Sequence, residues 1–210
     1  MNDMSAISHL LAISSGPIGP ATEFSGGKGQ TRTLLEMLQQ KNGYVAFQSA
    51  LLVRPGFATS ASAVLEIKRW NDPQIWRNRY QHLCPAATFF AEDVFGNQFG
   101  ILEDTVIWFD VETGEHKFFA DSIERWAETI LNDYEQWTGF AIADLWQGTT
   151  GAIPLSMRLV MKRPFILGGK AAIENLMMWP DTKIMRARGA MAVQLENIPD
   201  GTEVTFELEP

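Results

Sequence analysis

The chain has 210 residues, with 17 Lys and Arg against 25 Asp and Glu, 3 His, 1 Cys, 7 Trp, a formal charge of −8 and a hydrophobic share of 46%. That much apolar material excludes a disordered chain and suffices for a core without a disulfide or structural metal, and the lone Cys84 cannot form an internal bridge. Negative charge without a Lys/Arg run argues against nucleic acid and anionic membrane as partners, and no window nears the roughly 18 apolar residues of a spanning helix.

Residues 1–31 read as a flexible arm. Asp3 stands where an export signal would carry positive charge, and 14–31 is rich in Gly, Pro, Ser and Thr. Thr33 with Glu36 makes a capping box for a short helix over 33–41, closed by Asn42-Gly43. Tyr44–Val53 alternates weakly and fits a strand or a short helix. Asp72 and Pro73 open a second helix, with Ile75, Trp76, Tyr80 and Leu83 on one face and Pro85 as its stop.

The period then changes. Thr88–Glu92, Gln98–Leu102, Thr105–Asp110 and His116–Phe119 are β-prone runs joined by short turns, which pair strands antiparallel. Asp121 opens a long helix with Ile123, Trp126, Ile130, Leu131, Tyr134 and Trp137 as its apolar stripe. Gly139–Gln147 reads as a helical piece, and Pro154–Gly169 as irregular or strand-like. Pro180-Asp181 opens a last helix, which Gly189 weakens by about 1 kcal/mol relative to Ala. Val204, Phe206 and Leu208 alternate as a final strand.

Motifs of chemistry are sparse. Gly26-Gly27-Lys28-Gly29 lacks both the Ser or Thr after the lysine and the preceding strand of a phosphate loop. Three separated histidines and one thiol are thin material for a metal, and no nucleophile elbow occurs. The residues call for no cofactor. Glu92-Asp93 and Glu103-Asp104 are the acid pairs to consider, with three roles open: bonding the local backbone, contacting a partner, or dividing acid and base work. Trp76, Trp126 and Trp137 fall on helix stripes and read as core. Trp70, Trp146 and Trp179 lie near element ends, where exposure would make them interface anchors.

The run Phe89-Phe90-Ala91-Glu92-Asp93-Val94-Phe95-Gly96-Asn97-Gln98-Phe99-Gly100-Ile101, then a strand, a Glu-Thr-Gly-Glu turn, another strand and a helix from Ser122, resembles the SUKH superfamily. That group holds the Syd protein, fungal Knr-type regulators and many bacterial toxin-immunity proteins. The upstream Leu34–Leu38 helix, Asn42-Gly43-Tyr44 and the Trp70-Asn71 to Tyr80 segment fit its helical lead-in. The resemblance spans 33–138 and leaves 139–210 as a C-terminal elaboration within one domain, 32–210. It implies an α+β fold that acts by binding proteins and carries over no catalytic residue. Taken with the strand pattern, the expected architecture is an antiparallel sheet of about four to six strands flanked by helices, with a C-terminal helix-strand elaboration.

The expected partner is a protein, in the first instance a basic toxin domain, because charge complementarity speeds capture. Residues 106–210 hold 16 acids and 9 bases, so most of the acidic excess lies there. Glu92, Asp93, Asn97, Glu103, Asp104, Trp70, Trp146 and Trp179 are the candidate partner-binding residues, and the expected compartment is the cytoplasm. A scaffold module unconnected with toxins and a carboxylate-dependent hydrolase are the competing readings.

Overall fold

Six short strands, β1 (Tyr44–Ala46), β2 (Leu51–Val53), β3 (Thr88–Glu92), β4 (Gln98–Leu102), β5 (Thr105–Phe109) and β6 (His116–Ala120), follow one another across a single antiparallel meander. The computed structural model describes residues 4–199, 201 and 202, and the strand expected at 204–208 lies outside them. The fold is α+β: among the described residues, seven α-helices accompany this sheet and a separate β-ribbon.

Alternation along the strands divides the core between the two faces of the sheet. Tyr44, Phe90, Phe99 and Val106 join one cluster with α1 (Ala6–Ile13), α2 (Gly29–Gln40) and α4 (Ile123–Asn132), while Phe89, Ile107 and Phe109 join Trp70, Trp76, Tyr80 and the last helix on the other side. Phe89 and Phe90 thus feed opposite layers, which explains why β3 reads as a continuous apolar run. The Tyr44–Val53 ambiguity resolves to the β1–β2 hairpin, whose turn holds Phe47, Gln48 and Ser49 at φ of 51°, 52° and 67°.

The helix α4 buries the expected stripe, but its cap is Ser122 and not Asp121. Ser122 Oγ accepts the Arg125 N–H at 3.2 Å, and Ile123, Trp126, Ala127 and Ile130 bury one stripe. Asp133 then interrupts the expected long helix, and α5 (Tyr134–Thr138) continues as a separate piece.

Three further expectations are corrected. The segment 1–31 is no loose arm where it is described: α1 buries Leu10 completely against α4, Ser15 donates its N–H to the Val45 carbonyl of β1, and Ile18 and Gly19 donate theirs to the Gly43 and Asn42 carbonyls just before it. Both ends of α1 are held by charges from distant sequence. Glu124 accepts from the Ala6 and Ile7 N–H groups, and Lys41 donates to the Leu11 carbonyl and Ser14 Oγ, an acid at the positive end and a base at the negative end of the helix dipole.

The next helix begins at Gly29, so Thr33 lies inside it. Asp104 supplies the missing cap, accepting the Gln30 N–H at 2.6 Å. Asp72 caps only a turn, and Arg77–Arg79 and Gln81–Leu83 are 3-10 turns broken by Gln81 at φ 52°. Trp76 and Tyr80 are nevertheless buried.

The C-terminal part builds α6 (Phe140–Thr149), the antiparallel ribbon of β7 (Met157–Met161) with β8 (Leu176–Pro180), and α7 (Asp181–Leu195). Gly189 lets α7 approach closely, because a Cβ there would stand 2.7 Å from the Tyr80 ring. The residue that weakened the helix expectation is what lets the helix pack.

Candidate functional site: a buried charge network and an open aromatic pocket

The residue just after β2, the strands β3 and β7 and the start of α7 each bring one charged side chain to the same dry place. Arg54 Nη2 donates to Glu92 Oε2 and to Asp181 Oδ2, each at 2.8 Å, and Arg158 Nε stands 2.8 Å from Glu92 Oε1. Arg54, Glu92 and Arg158 are fully buried. The Arg54 guanidinium lies 3.3 Å over the Trp70 ring, whose Nε1 donates to Gln98 Oε1 at 2.9 Å, and the Gln98 amide donates in turn to Glu92 at 3.0 Å.

Burial opposes ionisation of Glu92, but the two guanidiniums and the Gln98 amide outweigh it and hold the carboxyl below its ordinary range. Burial pushes Asp181 up despite Arg54, with the neighbouring Glu92 charge adding to the rise. The network is incompletely satisfied: Arg54 Nε and Nη1 and Arg158 Nη2 find no hydrogen-bond partner among the described residues. Such a cluster fixes how the C-terminal part docks on the sheet, at a net energetic gain smaller than its contact count suggests.

Beside it, the β3–β4 turn is self-contained. Asp93 Oδ1 accepts the Phe95 and Asn97 N–H groups at 2.8 and 2.9 Å, and Oδ2 accepts the Asn97 amide at 2.7 Å. Asn97 Oδ1 then accepts the Val111 N–H at 3.0 Å, tying this turn to the β5–β6 turn. Burial pushes the Asp93 carboxyl up to about 7 against those hydrogen bonds.

The two turns form one end of a pocket of about 540 Å³. Trp108 from β5 and Trp137 from α5 wall one side, Arg188 from α7 and Glu112 the other, and Phe165 and Ile166 of a 3-10 turn form the rim, exposed at 46% and 45%. Glu112 Oε2 accepts the Ile166 N–H at 3.1 Å, the Phe165 backbone N–H also acts on the carboxylate, and Oε1 stands 3.8 Å from Arg188 Nη2. Arg188 Nη2 is held by the Met161 carbonyl at 2.6 Å. Burial raises Glu112 and lowers Arg188, each against the pull of the other. Asp110 Oδ1 caps the turn by accepting the Glu112 and Thr113 N–H groups at 2.7 and 3.2 Å.

The eight candidate residues therefore scatter. Glu92 and Trp70 lie in the buried network, Asp93 and Asn97 border the pocket, and Trp146 is buried against α6's own cluster. Trp70 and Trp146 were expected to be exposed, and the correction has a plain cause: Arg54 and the last helix cover Trp70, and the ribbon residues Leu159, Met161 and Leu176 with Ile153 cover Trp146. Trp179 is half-buried, with Lys183 Nζ 4.5 Å above its ring. Glu103 and Asp104 sit exposed in the β4–β5 turn with φ of 48° and 65°, at the opposite end of β4 from Glu92 and Asp93. The two acid pairs share no cleft, and of the four only Asp93 lines the pocket.

The charged residues Arg54, Arg158, Asp181 and Arg188 went unnoticed as a group. The signal available was an arginine inside each of the apolar runs Leu51-Leu52-Val53-Arg54 and Met157-Arg158-Leu159-Val160, because a buried arginine demands a carboxylate.

The fold has a solved counterpart. Among known structures the chain is similar to Atu4351 from Agrobacterium tumefaciens, with a TM-score of 0.53 and 12% identity over 86% of each chain. At that identity the likeness concerns the fold alone. No family model and no curated protein matches the sequence.

Among the described residues no group of three His, Cys, Asp or Glu gathers as a metal would require, and no helix is long and apolar enough to cross a membrane. Burial pushes the half-buried Cys84 thiol up to about 11, which keeps it protonated at neutral pH.

Proposed function

We propose that this chain is a non-catalytic protein-binding domain of the immunity type, which works in the cytoplasm and neutralises a basic bacterial toxin by covering its active site. The observation that carries the reading is the open pocket with exposed Phe165 and Ile166 on its rim and Trp108 and Trp137 in its wall. Aromatic walls with an apolar rim are what a protein interface uses to seat one or two anchoring side chains.

Two further features support it. The net charge of −8 favours fast capture of a basic partner. The residues from Phe89 to Ile101 that resemble the SUKH superfamily fold as the β3–β4 hairpin, whose turn borders this pocket.

Co-expression with the toxin domain encoded by the neighbouring gene tests the proposal. The expected result is a co-purifying complex and survival of the host cell. Neither a complex nor protection would overturn it.

A further inference from the structure

Lys117 has an unusual position for a surface lysine. Its Nζ lies 4.5 Å from the centre of the Trp108 ring and 5.4 Å from that of Trp137, inside the distance at which a cation is drawn to an aromatic face. It lines the pocket, yet among the described residues it makes no hydrogen bond and has no carboxylate within 4.0 Å. Among the described residues only the two rings hold it.

The acids near it are held in place from behind. Asp110 Oδ1 is fixed by two turn N–H groups, and Glu112, buried to all but 6%, is fixed by the Ile166 N–H. Asp110 Oδ2 accepts no hydrogen bond among the described residues, while the Glu112 carboxylate is also drawn by the Phe165 backbone N–H. Arg188 faces Glu112 at 3.8 Å but gives its close contact to the Met161 carbonyl. With Lys117 swung out, two indole faces and two carboxylates would face a pocket containing one committed cation.

We propose that this pocket is a receptor for a single cationic side chain, an arginine or lysine of the protein partner, and that Lys117 is its internal stand-in, displaced on binding. The inference rests on the protein-binding reading and names the chemistry of its anchor. A guanidinium suits the site, since it stacks flat on an indole face and turns N–H edges toward carboxylates. Lys117 leaves readily because it is exposed and trades a cation–π contact for full hydration of a strongly hydrated ammonium.

The test is an NMR titration of the tryptophan indole N–H resonances of the full chain with N-acetylarginine amide. N-acetylnorleucine amide and N-acetylaspartate amide serve as uncharged and anionic controls. Saturable shifts of Trp108 and Trp137 with the arginine probe alone are expected. Glu112→Gln should weaken that binding, and Lys117→Met should tighten it, each by roughly threefold or more, the size of one exposed cation–π or ion-pair contact.

An equal response to the norleucine probe, preference for the aspartate probe, or no gain in Lys117→Met would overturn the inference. A toxin domain that binds and is lost on Ile166→Asp, with no arginine-probe binding, would sink the receptor and leave the protein-binding reading intact. Arginine-probe binding without any toxin complex would do the reverse.

Discussion

Arg54, the residue after β2, and Glu92 of β3 meet at 2.8 Å with neither side chain touching solvent. A pair so placed resists the loss of either member, because the survivor becomes an unpaired charge in a dry interior. Arg54→Met and Glu92→Gln are each expected to lower unfolding free energy by about 3–5 kcal/mol, measured by urea denaturation. Because Asp181 and Arg158 share the network, the double variant should cost less than the sum of the singles.

Asp93 carries a definite pH signature. Its folded carboxyl is pushed up to about 7 from the ordinary 3.8, so the folded chain binds its proton more tightly than the unfolded chain. Stability from this group is complete below about 4 and is lost as pH rises toward 7. A carbon-13 NMR titration should place the Asp93 midpoint near 7, and the stability of Asp93→Asn relative to wild type should improve between pH 4 and 7 and then level off. A midpoint near 4 would contradict the burial argument.

Two helical glycines should respond to alanine with opposite sign. At Gly189 the added methyl would stand 2.7 Å from the Tyr80 ring and 3.0 Å from the Arg79 backbone, so overpacking should cost about 1–3 kcal/mol. At Gly148 nothing lies within 4 Å, so the better helix propensity of alanine should add up to about 1 kcal/mol. Thermal unfolding of the two variants reads both signs.

The first helix is part of the core. Leu10 is fully buried beneath α4, and Leu10→Ala is expected to cost about 2–5 kcal/mol. A change under about 0.5 kcal/mol, the usual range for a surface substitution, would show that α1 does not dock.

What could be read from the sequence divides by the range of the interactions involved. The strands β3 to β6 and the helices α4, α6 and α7 announce themselves because their β-prone runs, short turns and apolar stripes are local, as Pro180-Asp181 before α7 shows, although α4 is capped by Ser122 one residue after the expected Asp121. The helix α1 does not: its anchors, Glu124 and Lys41, lie far along the chain. The segment around Trp76 carries a helical spacing but folds as 3-10 turns, with Arg77 bonding the Pro85 and Ala87 carbonyls and the Asn71 side chain. The strand β8 lacks any period of its own and exists by pairing with β7.

The site was less legible for the same reason. Asp93 and Asn97 could be singled out from their turn, but the pocket they border needs Trp108, Trp137, Glu112 and Arg188 from four separate segments. Each of those residues has an ordinary local explanation: a strand aromatic, a helix stripe, a turn acid and a helix base. Only the packing of the C-terminal part across the sheet brings them together.

Calorimetric titration of the purified chain with its proposed partner, a basic toxin domain sought in the neighbouring gene, tests the binding claim most directly, with Ile166→Asp as the paired measurement. A one-to-one complex that weakens at least tenfold in the variant, about 1.4 kcal/mol, is the predicted result. No heat of binding, or a complex indifferent to Ile166→Asp in a variant that unfolds like wild type, would contradict it.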